Sequence, residues 1–181
     1  MRTVETLTAA EVAALVGLDE GRIRKEVEYG FLGRTSPPRF NFADLVYFDA
    51  VALLDVQLGV DDRKKLYNLI ASALAGSRPP SRVEMGPVLE IRLDWVTKDA
   101  EGKLARFEGW KKKLVSDEGI LGGEPVFRKS RLAVRQIGGM LLRGARPEEV
   151  LEDYPYLTKE DLEFAPIFAK AYPRMGRPRE S

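Results

Sequence analysis

The chain has 181 residues and 29 Lys and Arg against 28 Asp and Glu, so its formal net charge is +1. No overall cationic field holds nucleic acid, and any such binding rests on local clusters. It contains no cysteine and no histidine, which excludes disulfides, thiol nucleophiles, imidazole bases and the usual nitrogen and sulfur ligands of zinc.

Thr8 and Glu11 have the spacing of a capping box, and Ala9, Val12, Ala13 and Val16 recur at helical spacing, which predicts a first helix ending at Gly17. Asp19 caps a second helix, with Ile23 and Val27 facing inward and Arg22, Arg24 and Lys25 outward. The two form a helix-turn-helix pattern. Gly30, Gly33 and Pro37-Pro38 make a loop and residues 39–42 a brief strand; together they read as a wing that carries Arg34 and Arg39. Leu45, Phe48 and Ala52 restart the helical period. Asp61-Asp62 open another helix, with Leu66, Leu69, Ile70 and Ala73 on one face, which stops at Gly76 before the linker Ser77-Arg78-Pro79-Pro80-Ser81.

Leu89, Ile91, Leu93 and Trp95 alternate with Glu90, Arg92 and Asp94, which predicts a half-buried strand over residues 88–96. A second copy pairing with its free edge would make a two-fold dimer. Leu104, Phe107, Trp110 and Leu114 predict an amphipathic helix with Lys111-Lys112-Lys113 as its solvated end, and Trp95, Phe107 and Trp110 are assigned to core or dimer contacts. Gly122-Gly123-Glu124-Pro125-Val126-Phe127 sets a tight corner, and residues 125–128 and 132–134 read as the arms of a hairpin around Lys129-Ser130. Val134, Ile137 and Leu141 then define a helix stopped at Gly144. Pro147, with Glu148 and Glu149, opens a second, and Thr158 caps a third in which Pro166 predicts a kink or a break.

The fold class expected is mainly α with small β elements. Its parts are a winged helix-turn-helix over residues 1–76, a linker with strand and helix over 77–115, a β-hairpin plus three-helix domain over 116–172, and a basic tail over 173–181. There is no apolar signal region and no run approaching the roughly 20 apolar residues of a membrane span, so a cytoplasmic protein without membrane association is expected.

Arg22, Arg24 and Lys25 are candidates for a DNA groove, because a recognition helix presents early polar positions to base edges; the alternative is a solvated helix face. Arg34 and Arg39 would add phosphate contacts. Arg131 and Arg135 are free to face DNA, a partner or acids of their own domain. Gly122, Gly123, Pro125 and Arg131 form a structural motif, and the diglycine lacks the spacing of a nucleotide loop. No cofactor, metal or catalytic residue is expected. A nuclease using Asp61, Asp62, Glu148, Glu149, Glu152 and Asp153 as metal ligands is a rival reading, but acids at helix starts are more simply caps and dipole partners.

From residue 116 to about 172 the chain resembles the domain-of-unknown-function family numbered 433, through Gly122-Gly123-Glu124-Pro125-Val126-Phe127, Arg131, Val134, Gly144 and Asp153-Tyr154-Pro155-Tyr156-Leu157-Thr158. Family members often carry proline where this chain has Ala133. Residues up to about 58 are similar to a MerR-type winged helix-turn-helix, and the combination is similar to long VapB-type antitoxins. The resemblance implies an antitoxin that inhibits a cognate PIN-like ribonuclease toxin and represses its own operon by binding operator DNA, as a homodimer. It also implies that Arg174, Arg177 and Arg179 reach the carboxylates of the nuclease, as arginine does through bidentate contacts. A stand-alone MerR-type regulator with a small-molecule effector is the alternative.

Overall fold

The computed structural model describes residues 6–33, 35–54 and 57–173. Among them lie eight α-helices and one two-stranded antiparallel sheet. The chain divides into two compact units, Met1–Ala105 and Arg106–Ser181.

In the first unit, Thr8 and Glu11 exchange hydrogen bonds of 3.2 and 2.8 Å as the capping box of α1 (Ala9–Val16), and Gly17 ends the helix at φ 75°. Asp19 accepts from the Gly21 N–H (2.8 Å) at the start of α2 (Glu20–Glu28). The strand expected over residues 39–42 shrinks to one antiparallel bridge, Leu7 to Phe40. Asn41 instead forms a capping box with Asp44, so Phe42 begins α3 (Phe42–Leu53). Local capping outweighs β-propensity where two residues cannot build a ladder. Helix α4 (Val60–Ala75) buries Leu66 and Ile70, and residues 77–81 are exposed loop.

Strands β1 (Val83–Met85) and β2 (Leu89–Ile91) pair Val83 with Ile91 and Met85 with Leu89. The strand expected over residues 88–96 therefore ends early, and α5 (Leu93–Lys111) follows after one residue. Leu93, Val96 and Ala100 are buried at helical spacing while Trp95 is 49% exposed, which removes the core alternative of its core-or-dimer assignment. The alternation of Leu93 and Trp95 with charges was a coincidence of two periods; i, i+3, i+7 burial identifies the true one.

The second unit takes Phe107 and Trp110 from the end of α5, and both are 1% exposed. The hairpin expected at residues 125–134 is present as a Phe127 N–H to Leu132 carbonyl bond (3.1 Å) and a Val134 N–H to Pro125 carbonyl bond (3.0 Å), with Lys129 turning at φ 60°. Val115 adds a third arm by pairing with Val126. Helices α6 (Val134–Leu142), α7 (Pro147–Asp153) and α8 (Lys159–Ala171) follow, with Pro147 in the first turn of α7 and Thr158 capping α8.

Helix α8 carries Pro166 without a break. A proline there removes one backbone donor, at a cost of about 3 kcal/mol in an isolated helix. Burial of Phe164, Ala165, Phe168 and Ala171 on both sides of the proline offsets it. The Trp110 ring lies 5.7, 6.0 and 6.4 Å from those of Phe164, Phe168 and Phe127. Its indole N–H donates to Asp161 Oδ1 (2.8 Å), while Asp161 Oδ2 accepts from the Thr158 N–H (2.8 Å).

Candidate functional site

One face of α2 is cationic because its other face is fully used. Ile23 (0% exposed) and Glu26 (3%) point into the unit, which leaves Arg22, Arg24 and Lys25 exposed as the spacing predicted. Arg24 is engaged on its own helix: its guanidinium lies 2.6 Å from Glu20 one turn back. Of the three, Arg22 and Lys25 are the cations that no ion pair among the described residues engages. Arg39 is exposed on the loop before Phe40. Arg34 lies outside the described residues.

Beneath this face sits a polar group that spacing could not reveal. Glu26 Oε1 is 2.8 Å from Arg63 Nε on α4, although that N–H is not aligned for a hydrogen bond. Arg63 donates through Nη1 to the Leu58 carbonyl (2.8 Å) and lies 5.4 Å from the Tyr29 ring centre. The Tyr47 hydroxyl on α3 faces Glu26. Burial pushes the Glu26 carboxyl up, against the opposing pull of Arg63, Arg22 and Tyr47, and burial followed by the charge of Glu26 pushes the Tyr47 hydroxyl up. The group ties α2 to α3 and α4.

A second buried acid, Asp49 on α3 (0% exposed), accepts from Lys103 Nζ at 2.6 Å, and Lys103 also meets Asp99 at 2.7 Å. Burial raises the Asp49 carboxyl more than Lys103 lowers it. Neither pair repeats at a local period, so only the folded chain identifies it.

At the corner of the second unit, Leu121, Gly122 and Gly123 all adopt positive φ, of 50°, 64° and 82°. The Gly122 and Gly123 positions suit a residue without Cβ, and Leu121 there is a local strain. The Asp117 carbonyl accepts from the N–H groups of Ile120 (2.8 Å) and Gly123 (3.1 Å), and Pro125 leads into the hairpin. Arg131 is exposed at the hairpin turn. Arg135 is committed to its own unit: Nε donates to the Tyr172 carbonyl (2.6 Å) and Nη1 lies 3.5 Å from Glu124. Arg174, Arg177 and Arg179 lie outside the described residues.

Four acids of the rival reading stand at helix starts, whereas Glu152 and Asp153 are exposed in the last turn of α7, which corrects their placement at a helix start. Asp61 and Asp62 stand in the first turn of α4, and Glu148 and Glu149 in that of α7. Asp62 pairs with Lys65 at 3.6 Å, and Glu149 pairs with Arg146. Among the described residues no group of three or more Asp, Glu, His or Cys is placed to hold a metal ion, and no helix is long and apolar enough to cross a membrane.

Residues 114–169 match a family model described as "Protein of unknown function (DUF433)". The chain is similar to an uncharacterized protein, y4eO, of Sinorhizobium fredii (strain NBRC 101917 / NGR234), with 38% identity over 66 residues, 36% of this chain and 30% of that protein. It thus spans less than a third of that relative's length. No solved structure matches.

Proposed function

We propose that this chain is a cytoplasmic DNA-binding antitoxin of a type II toxin–antitoxin system. Its first unit binds operator DNA through α2, and its second unit with the arginine-bearing C-terminal stretch binds and inhibits a PIN-like ribonuclease. The chain acts as a repressor and inhibitor rather than an enzyme. The observation that carries the DNA part is the division of α2, with Ile23 and Glu26 buried and Arg22 and Lys25 exposed on one capped helix that follows α1 after a Gly17 turn. Such a helix projects cations into a major groove while its partner helix braces it. On this reading the loop that follows α2 in the chain is the wing, and the part matching a family of unknown function over residues 114–169 is the toxin-binding part.

Operator binding is measured as a function of salt. Arg22→Ala with Lys25→Ala is expected to weaken binding and to lower the log–log salt slope by about 0.9 for each phosphate no longer neutralised. Because Arg24 is tied to Glu20, Arg24→Ala is expected to change affinity less than either. Unaltered affinity and slope in the double variant would sink the α2 assignment. The inhibitor part is tested by co-expressing the neighbouring open reading frame with the full chain and with a chain ending at Tyr172; equal rescue by both excludes the arginine stretch from inhibition. Two copies in solution, seen by sedimentation, are expected for binding to successive half-sites.

A regulator with a small-molecule effector is the second reading. It is favoured by an open cleft of about 450 Å³ between α4 and the β1 turn, lined by Lys65, Leu69, Ser72, Glu84 and Met85. Operator affinity that changes with a small ligand, in a locus without a ribonuclease gene, would select it.

A further inference from the structure

The turn of the second unit's hairpin reads Arg128-Lys129-Ser130-Arg131, and its three cations are all exposed. Among the described residues none of the three makes an ion pair, while Arg106, Lys111, Lys113, Arg135 and Arg146 of the same unit each pair with an acid. Acids are at hand in this unit and are used elsewhere. The nearest in sequence, Glu124, is engaged by Arg135, and α6, which follows the hairpin, has no acid in its first turn.

The backbone that carries these cations is fixed. The Ser130 N–H and hydroxyl both donate to the Phe127 carbonyl (3.1 and 2.9 Å), and the Leu132 N–H donates to Ser130 Oγ (3.2 Å). Below the turn Val126 pairs with both Val115 and Ala133, and Val126, Phe127 and Ala133 are buried. Lys129 holds φ 60° as the third residue of the turn, a position that ordinarily takes glycine or asparagine. The chain therefore keeps a charged side chain where the backbone favours glycine, and outliers of this kind concentrate where a protein binds.

We propose that Arg128, Lys129 and Arg131 are a second DNA contact, through which the second unit grips the phosphate backbone of duplex DNA. Charge selects the partner: residues 128–131 include no apolar or aromatic side chain to anchor a protein or enter a bilayer. Guanidinium forks match phosphate oxygens bidentately, and the ammonium adds a point charge. The choice of duplex DNA over RNA rests on the operator reading of α2, because a second contact on the same polyanion becomes intramolecular once the first has formed. Phosphate contacts position a protein without reading sequence, so the hairpin adds affinity and α2 the specificity. Arg131 thereby gains a role that the rest of its motif prepares, with Pro125 leading from the diglycine corner into the hairpin that presents it.

The test is binding of the full chain, over a range of salt, to a duplex from the region upstream of its gene and to a duplex of unrelated sequence. Arg128→Gln with Lys129→Gly and Arg131→Gln is expected to lower the log–log slope by about 2.7, at about 0.9 for each phosphate no longer neutralised. It is expected to weaken both duplexes by the same factor. Lys129→Gly by itself is expected to lower the slope by about 0.9. Because glycine suits φ 60°, that variant keeps its unfolding midpoint, which separates lost charge from lost folding. Lys170→Gln, at an exposed cation of the same unit outside the hairpin, is expected to leave the slope unchanged. An unchanged slope in the triple variant, or an equal fall in Lys170→Gln and Lys129→Gly, overturns the hairpin contact. So does a triple variant that loses single-stranded RNA while holding both duplexes as before. The α2 assignment fails separately: a slope unaltered by Arg22→Ala with Lys25→Ala but lowered in the triple variant removes α2 and leaves the hairpin contact standing.

Discussion

At the scale of single residues, what decides stability is contact rather than type. Gly138 on α6 is ordinary by spacing, yet a Cβ there would stand 2.2 Å from the Ala165 carbonyl oxygen and 2.7 Å from the Ala169 Cβ. Gly138→Ala is expected to force α6 from α8 and to cost about 3 kcal/mol, read from denaturant unfolding. An unchanged midpoint would mean the helices separate freely. Glu26 behaves in the opposite sense, being held by a charge. Arg63→Met leaves its buried carboxyl without the guanidinium and is expected to cost about 3 kcal/mol, most of it recovered when Glu26→Gln is added.

The pH dependence follows from the same residue. Burial raises the folded carboxyl above its unfolded value, so between the two the folded state holds a proton that the unfolded state has released. This contribution to stability is full below the ordinary carboxylate range and is lost as pH rises through the raised value. Glu26→Gln is expected to flatten that part of the stability–pH curve.

Elements were legible where caps and a single period agreed. Thr8 with Glu11, Asp19, Pro147 and Thr158 mark the starts of α1, α2, α7 and α8, and each of those helices is present. Legibility failed where two periods overlapped. Leu89, Ile91, Leu93 and Trp95 alternate, but the ladder closes at Ile91 because β1 supplies only three partners, and α5 then takes over. β1 itself, three residues before Gly86-Pro87, offers too short a pattern to read. Ala133, the residue before α6, has φ −66°, a value proline also holds. Ala133→Pro is therefore expected to raise stability by about 0.5 kcal/mol through the unfolded chain, and a fall in the unfolding midpoint would show that its ring clashes.

At the scale of the whole molecule, the family match begins at residue 114, but the core of the second unit begins earlier in the chain. Phe107 and Trp110 fill it from α5, and Trp110 also ties the capping carboxylate Asp161. A fragment starting at Leu93 is expected to melt cooperatively in circular dichroism, whereas one starting at Leu114 loses two fully buried aromatic side chains, at about 2–3 kcal/mol each, and is expected not to fold. Cooperative melting of the shorter fragment would refute this. The sequence by itself determined the mainly helical class, the caps, the outward cations of α2 and the hairpin before α6, because these depend on neighbours within one or two turns. Only the tertiary structure decided that Arg63 braces Glu26, that Lys103 meets Asp49, that α8 runs unbroken through Pro166 and that Arg135 turns from the surface to Tyr172. Those outcomes join residues tens of positions apart, and it is packing across helices that selects among partners local spacing leaves equivalent. For the diglycine corner both levels were needed: the glycines announce the turn, and the fold shows that the acid after it holds Arg135.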